Sequence, residues 1–170
     1  MLIMIERQKA ETLALIESWP PARLAYRPDA GAWSANEVLD HLVKVEGEIL
    51  AAAREGLQNP HRLGVRDRLG FLFIDRVFRS PRRVKVPASA SQVLPDPNVT
   101  LVDIRERWDN TREDLTVFLS QLTPAQLQGG VFRHPVSGWM SFPQILRFFS
   151  AHIQHHGFQL TRLRTGSEGL

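Results

Sequence analysis

The stretch SFPQILRFFSAHIQHHGFQLTRLR, residues 141–164, decides the fold of this chain. It begins with a capping box, in which Ser141 and Gln144 satisfy each other's backbone amides. Apolar residues then recur every three or four positions, which predicts an amphipathic helix from 142 to about 165 that stops at Gly166. A helix with one long apolar stripe must pack against other helices to bury it.

The same signals divide the rest of the chain into helices. Further capping boxes lie at 34–37 and 123–126, with a weaker one at 100–103. Residues 80–99 are rich in proline and form a long crossover, and neither they nor residues 129–140 alternate for long enough to make a convincing strand. The prediction is an all-α four-helix bundle with long crossover connections, in a single domain over residues 1–170. The predicted helices span residues 2–18, 34 to about 55, about 66–79, 100–122 and about 142–165.

Composition limits the classes of protein and of site. The 170 residues contain no cysteine, which excludes disulfides, thiolate metal sites and a cysteine nucleophile. No apolar run approaches the ~20 residues of a membrane span, and the apolar N-terminus is too short for the core of a signal peptide. We therefore expect a soluble, cytoplasmic protein with no membrane partner.

The charge pattern gives little support for nucleic-acid binding. The net charge is +3, and no basic stripe interleaved with aromatic residues is present, so no nucleic-acid partner is expected. The one dense basic run is RSPRRVKV at residues 79–86, for which a solvated loop is the favoured interpretation. The alternative is a docking patch for an anionic cosubstrate.

Three histidines fall within five positions of the last predicted helix. Successive helical residues turn by about 100°, so His152 and His156 lie within about 20° of the centre of an apolar stripe through Ile145. His155 lies about 80° away, toward the edge of that stripe. Each buried imidazole has a donor and an acceptor to satisfy, and charging either ring costs several kcal/mol. The pair is therefore either two satisfied core histidines or two ligands of a divalent metal, which takes a lone pair from each ring.

Spacing alone leaves a third ligand open. His41 lies roughly 60–70° from the centre of the apolar stripe of the second helix, at the border of the predicted core. It is either a boundary histidine or a ligand. Glu37 is explained as a capping-box partner and Glu48 as a solvated residue. His134, which precedes a proline in a loop, and His61, which is expected to be exposed, stay outside the predicted site.

Two segments resemble the DinB-like, or YfiT-like, family. WSANEVLDHLVKVEGEIL, residues 33–50, is similar to the tryptophan-serine opening and histidine-leucine centre of the second helix in that family. HPVSGWMSFPQILRFFSAHIQHHGFQLTRLR, residues 134–164, resembles its end, where a histidine-proline, a glycine and a capped helix lead to two histidines and a glutamine. Those last three residues are here His152, His156 and Gln159. In element order the resemblance covers essentially the whole chain.

The resemblance implies both a fold and a site. The implied fold is a four-helix bundle with long crossovers, and the implied assembly is a homodimer. The implied site is a divalent metal held by three histidines, which map to His41, His152 and His156, with His155 outside the ligand set. Zinc, nickel and iron(II) all accept imidazole, so the metal itself is not identified.

The resemblance also implies an activity. Family members of known activity use low-molecular-weight thiols such as bacillithiol or mycothiol for S-transfer or thiol-assisted isomerisation. We therefore expect a metal-dependent enzyme acting on a small molecule, as a thiol S-transferase or a related transferase or isomerase, with hydrolase-like activity as a further option. The alternative is a non-catalytic or stress-related metal-binding bundle, because fold alone does not fix function. No general base or other catalytic residue is predicted.

Overall fold

A computed structural model of the chain describes residues 1–82, 84 and 87–166. Its four longest helices form a bundle in which α7 packs against α1 and α3, while α3 also packs against α5. The predicted all-α four-helix bundle is confirmed, with helix ends within two residues of the predicted ones. In chain order the helices are α1 (Leu2–Glu17), α2 (Pro21–Leu24), α3 (Ala35–Gly56), α4 (Val65–Phe78), α5 (Leu101–Ser120), α6 (Pro124–Gln128) and α7 (Phe142–Gly166).

The predicted caps explain where these helices begin. At α3 the Ser34 hydroxyl accepts a hydrogen bond from the Glu37 amide, and the Glu37 carboxylate accepts one from the Ser34 amide. The same reciprocal pair is present at the start of α5 and of α6. At α7 the side-chain oxygen of Gln144 accepts from the Ser141 amide at 2.9 Å. Each satisfied cap is worth roughly 1 kcal/mol of helix stability.

The core consists of two apolar clusters that meet at the middle of the bundle. On α7 one cluster reaches Ala151 and the other begins at Ile153, so His152 lies at their junction. On α3 the junction falls between Val43 and Val45, close to His41. His41 and His152 therefore lie inside the bundle, between two apolar clusters.

A buried ionic layer joins α3 to α5. The carboxylate of Glu46, on α3, accepts two hydrogen bonds from Arg112, on α5, both at 2.7 Å. The indole nitrogen of Trp108 donates to the same carboxylate at 2.9 Å. A carboxylate is tolerated at 1% exposure here because its oxygens are fully partnered.

A short hairpin precedes α7 and was not predicted. Strand β1 (Phe132–His134) pairs antiparallel with β2 (Gly138–Met140). Three residues per strand are too few for a period-two pattern to emerge from the sequence. Gly138 adopts a positive φ of 83°, which favours glycine. The hairpin rests on α4 at Gly70, where a Cβ atom would lie 2.3 Å from the Ser137 carbonyl oxygen.

Helix α4 covers one side of the bundle, against α7 and the hairpin. Its packing face carries Phe71, Ile74 and Phe78, whereas Leu69 and Phe73 are exposed despite being apolar. The 80–99 crossover that follows contains a short 3-10 helix, Ala88–Val93, and no strand within its described residues. In the described part of the chain no helix is both long and apolar enough to cross a membrane.

Candidate metal centre

The structure brings His41, His152 and His156 together in the interior of the bundle. His41 is on α3, and the other two lie one turn apart on α7. One ring nitrogen from each lies within 4.8 Å of the others, and all three residues are at most 6% exposed. We call these residues the histidine triad. His41 is fully part of the core, rather than at its border as its position on the helical wheel predicted.

Hydrogen bonds to Nδ1 fix the tautomers of the His41 and His156 rings. His41 Nδ1 lies 2.7 Å from the Val93 carbonyl oxygen, and His156 Nδ1 lies 2.9 Å from the side-chain oxygen of Gln159. Both oxygens only accept, so both Nδ1 atoms carry the proton. The Nε2 atom of each ring is then unprotonated and is the ligand atom that the ring can offer to the triad. His152 Nδ1 has no hydrogen-bond partner among the described residues.

The spacing inside the triad suits a shared divalent ion. His152 Nε2 and His156 Nε2 are 3.1 Å apart. Two nitrogens bound to a tetrahedral zinc at about 2.0–2.1 Å stand about 3.3 Å apart, so this pair is already close to ligand spacing. Protein ligands of this kind hold their other nitrogen in an outer hydrogen bond, as His41 and His156 do here. The residues therefore fit the group that the family resemblance implies.

The triad is electrically neutral at pH 7. Burial lowers the pKa of His152 and of His156 well below the ordinary value, and the neighbouring rings lower it further. Burial also lowers the pKa of His41, against smaller upward effects of the Val93 carbonyl and the nearby Asp40 carboxylate. Neutral imidazole is the form that binds a metal, and lowered pKa values keep it available under mildly acidic conditions.

Aromatic rings surround the triad. The Trp33 ring lies 4.8 Å from the His41 ring, centroid to centroid. On the α7 side Phe148 stacks on His152 at 5.3 Å, and Phe78 meets the same imidazole edge-on at 5.2 Å. These side chains exclude water from one side of the triad and lower the local dielectric, which strengthens electrostatic interactions there.

His155 is buried as well, contrary to its predicted position at the edge of the stripe. It is 6% exposed because Phe78, from α4, covers it with a ring contact at 5.1 Å. Burial lowers its pKa, and its contact with the Ser80 backbone works in the opposite direction. It does not join the triad. A helical-wheel position cannot reveal this burial, because the covering helix is a separate element.

The remaining histidines lie apart from the triad. His134 is in β1, and its Nδ1 accepts hydrogen bonds from the Val136 and Ser137 amides at 3.2 Å each. Burial lowers the pKa of His134 to about 4. His61 is exposed, as predicted, and its ring stacks on Trp139.

Two polar features near the triad were missed by the sequence analysis. Asp40 is completely buried next to His41, and the Val93 carbonyl that binds His41 comes from the crossover. The only signal in the sequence was an aspartate immediately before His41 on a helix with a strong apolar stripe. Lys44 is a partner of that aspartate one turn along the same helix, but its other partners, Asp96 and Arg107, are more than fifty residues away, and no local pattern identifies them.

The basic run 79–86 begins beside the triad, directly after Phe78. Arg79 is committed to Asp75 and to the Gln154 side chain, and Arg82 is exposed. Arg83, Lys85 and Val86 lie outside the described residues.

Two surface clefts, of about 640 and 450 Å³, contain no triad residue. The larger one includes Ser141, which is about 16 Å from His152 along α7 at 1.5 Å per residue. The triad is thus a buried site that is separate from both clefts.

A helical bundle with three interior histidines, one from its second long helix and two from its last, defines a recognisable class of protein. The chain matches the DinB superfamily over residues 4–160 and belongs to that family. This confirms the resemblance drawn from the two sequence segments.

Solved structures support the same fold. TT2238, described as a four-helix bundle protein, is 19% identical with a TM-score of 0.58, covering 95% of this chain and 94% of that one. YfiT from Bacillus subtilis, described as "a probable metal-dependent hydrolase with an unusual four-helix bundle topology", is 16% identical with a TM-score of 0.56. That likeness covers 97% of this chain and 85% of YfiT. No curated protein matches the sequence.

Proposed function

We propose that this chain is a divalent-metal-dependent enzyme whose ion is held by His41, His152 and His156. The observation that carries the proposal is the convergence of three neutral imidazoles, two of them with Nε2 fixed as an inward-facing acceptor. Three protein ligands leave a coordination position open, as in catalytic rather than structural sites. Zinc, nickel and iron(II) all suit such a donor set.

The proposed reaction is S-transfer from a low-molecular-weight thiol to a small electrophile, or a related transfer or isomerisation. A divalent ion in this position supplies Lewis acidity, which brings the pKa of a thiol or of water toward neutrality. The chain has no cysteine of its own, so the sulfur would come from a cosubstrate. Neutral ligands leave the charge of the ion uncompensated, which favours an anionic thiolate over a neutral alcohol.

The surrounding residues have defined roles in this proposal. The Val93 carbonyl and Gln159 hold two imidazoles in the tautomer that presents Nε2 inward. Phe78 and Phe148 keep water from one side of His152. The basic run 79–86, which starts beside this site, would attract an anionic cosubstrate. Replacing Arg82 with glutamine would then raise KM for an anionic thiol and leave kcat and metal content unchanged.

Hydrolysis is the second candidate reaction. It is favoured by the fold shared with YfiT, which is described as "a probable metal-dependent hydrolase". An ion held by the same three histidines could activate water instead of a thiol, because the two reactions differ only in what occupies the open coordination position. The two reactions are distinguished by whether turnover requires an added thiol.

The test compares wild-type protein loaded with zinc, nickel or iron(II) with two variants. Each sample is assayed with a chlorodinitrobenzene and a panel of thiols, and separately with a nitrophenyl ester. We expect a thiol-dependent rate that the His152→Ala/His156→Ala variant loses and the His155→Ala variant keeps. An ester rate without thiol would favour the hydrolase.

The absence of any rate above background in both assays would contradict an enzymatic role and favour a non-catalytic metal-binding bundle. In that case His152→Ala would lower the melting temperature of the metal-loaded protein without removing an activity. The proposal includes a homodimeric state, which light scattering coupled to gel filtration measures directly.

A further inference from the structure

His41 depends on a residue far away in the sequence for its orientation. Its Nδ1 donates to the carbonyl oxygen of Val93, at the end of the 3-10 helix in the crossover. If that carbonyl moved away, Nδ1 and Nε2 could exchange the proton freely. A ring with its proton on Nε2 has no lone pair to direct into the triad.

The crossover is held against α3 at the same place by two further side chains of that helix. Asp40 accepts a hydrogen bond from the Asp96 amide at 2.7 Å. Lys44, one turn later, donates to the Leu94 carbonyl oxygen at 2.9 Å and pairs with the Asp40 carboxylate at 3.0 Å. Residues 93–96, which we call the crossover anchor, are therefore fixed to α3 by three hydrogen bonds.

Asp40 is the central member of this arrangement. It is completely buried, and its second oxygen accepts from Arg107 on α5. One carboxylate thus joins α3, α5 and the crossover anchor. Burial raises the pKa of Asp40, but hydrogen bonds from Asp96, Arg107 and Lys44 outweigh it, so the net pKa is lowered.

We propose that Asp40 is a positioning residue for the metal site: it holds the crossover anchor so that the Val93 carbonyl sets the tautomer of His41. The expected effect on metal binding rests on the proposed function. The expected effect on the His41 tautomer does not, because it can be measured in metal-free protein. Asp40 positions His41 through the crossover anchor, in addition to the direct upward effect of its charge on the pKa of His41.

The substitution Asp40→Asn tests this with minimal change of shape. The amide has one accepting oxygen in place of two, so either the Asp96 amide or Arg107 loses its acceptor. It also removes the negative charge that Arg107 and Lys44 face. The charged Arg107 is the stronger donor for the remaining oxygen, so the NH2 group faces the Asp96 amide; the crossover anchor then loosens, and His41 loses its fixed carbonyl partner.

The first measurement is the tautomer of His41 in metal-free protein, by long-range nitrogen-15 NMR of the imidazoles. We expect a single Nδ1-protonated form in the wild type and a tautomer mixture in Asp40→Asn. The second is the dissociation constant for Co²⁺ together with its visible absorption. Loss of an outer partner of a metal-bound histidine weakens affinity roughly 10–100-fold, and we expect a loss of that order with a weaker visible band.

The matched control is Glu46→Gln, which changes another buried carboxylate of α3, whose hydrogen-bond partners among the described residues are Trp108 and Arg112 on α5. It should leave the His41 tautomer and the Co²⁺ affinity unchanged even if it lowers the melting temperature. If Asp40→Asn does not fold, Lys44→Met tests the same anchor, because it removes both the donor to Leu94 and a cation paired with Asp40. It should weaken Co²⁺ binding several-fold, and wild-type affinity with a wild-type His41 tautomer would contradict the inference.

An Asp40→Asn protein with the wild-type His41 tautomer and wild-type Co²⁺ affinity would overturn the inference. So would an equal loss of affinity in Glu46→Gln, since that result would assign the effect to general destabilisation. If the wild type binds no metal, the proposed function fails. The tautomer measurement still tests the positioning role of Asp40 in that case.

Discussion

The Nε2 atom of His156 lies 3.1 Å from the Nε2 atom of His152, one helical turn earlier on α7. The proton of His156 is on Nδ1, where Gln159 accepts it, so its Nε2 is an acceptor aimed at a neighbouring imidazole. A shared cation would satisfy both nitrogens in place of the hydrogen bond that now joins them. The residues that hydrogen-bond the Nδ1 atoms of the triad therefore provide a further test of the proposed metal site.

Replacing Gln159 with leucine should weaken metal binding by roughly 10–100-fold. The leucine cannot accept from His156 Nδ1, so the imidazole is no longer held in the tautomer that presents Nε2. Competition with a chromogenic chelator measures the change. The matched control is Gln154→Leu on the exposed face of α7, where the hydrogen-bond partner among the described residues is Arg79. Equal metal affinity in wild type and Gln159→Leu would show that the His156–Gln159 hydrogen bond does not support a metal site.

Metal-free protein should lose stability as the pH falls below about 6.5. Burial lowers the pKa values of the triad and of His134. Below about pH 6.5 these histidines are therefore protonated in the unfolded chain but stay neutral in the folded chain. Because stability rises with pH wherever the unfolded state binds more protons, the loss begins at the ordinary histidine pKa and continues toward the folded-state values. Urea unfolding between pH 7.5 and pH 5 measures the slope.

The contribution of His134 can be separated from that of the triad. Its pKa of about 4 implies a loss of about 3 kcal/mol between pH 6.5 and pH 4. In His134→Asn the side-chain oxygen can still accept from the Val136 and Ser137 amides but does not titrate. The variant should therefore show a shallower pH dependence than the wild type, and an unchanged slope would rule out this contribution.

Removing one member of the buried ionic layer should destabilise the protein without affecting metal binding. Arg112→Met leaves the Glu46 carboxylate buried without its partner, which typically costs 3–5 kcal/mol. The exposed pair of Arg54 and Asp114 is the control, and Arg54→Ala should cost no more than about 1 kcal/mol. Denaturant unfolding compares the two, and similar small losses would contradict the role of burial.

Much of the bundle could be predicted because its signals are local. A capping box such as Ser34 with Glu37 and a period of 3.6 residues are both read within a few positions of one another. The hairpin at Phe132–His134 could not be predicted, since three-residue strands form only where α4 supplies a surface through Gly70 and Asp67.

The arrangement of the triad was predictable only in part. The inward positions of His152 and His156 follow from helical geometry, whereas the place of His41 in the triad depended on the family resemblance. The outer partner of His41 is a carbonyl more than fifty residues away, and His155 is buried by a phenylalanine from another helix. Contacts of that kind depend on tertiary packing, which no local pattern encodes.

Elemental analysis of the purified protein tests the central claim most directly, alongside His152→Ala/His156→Ala and His155→Ala. The latter is the matched control, because His155 is an equally buried neighbour that lies outside the triad. We predict one divalent ion per chain in the wild type and in His155→Ala, and none in the double variant. A wild type that takes up no zinc, nickel or iron(II), or a double variant that retains its ion, would contradict the account.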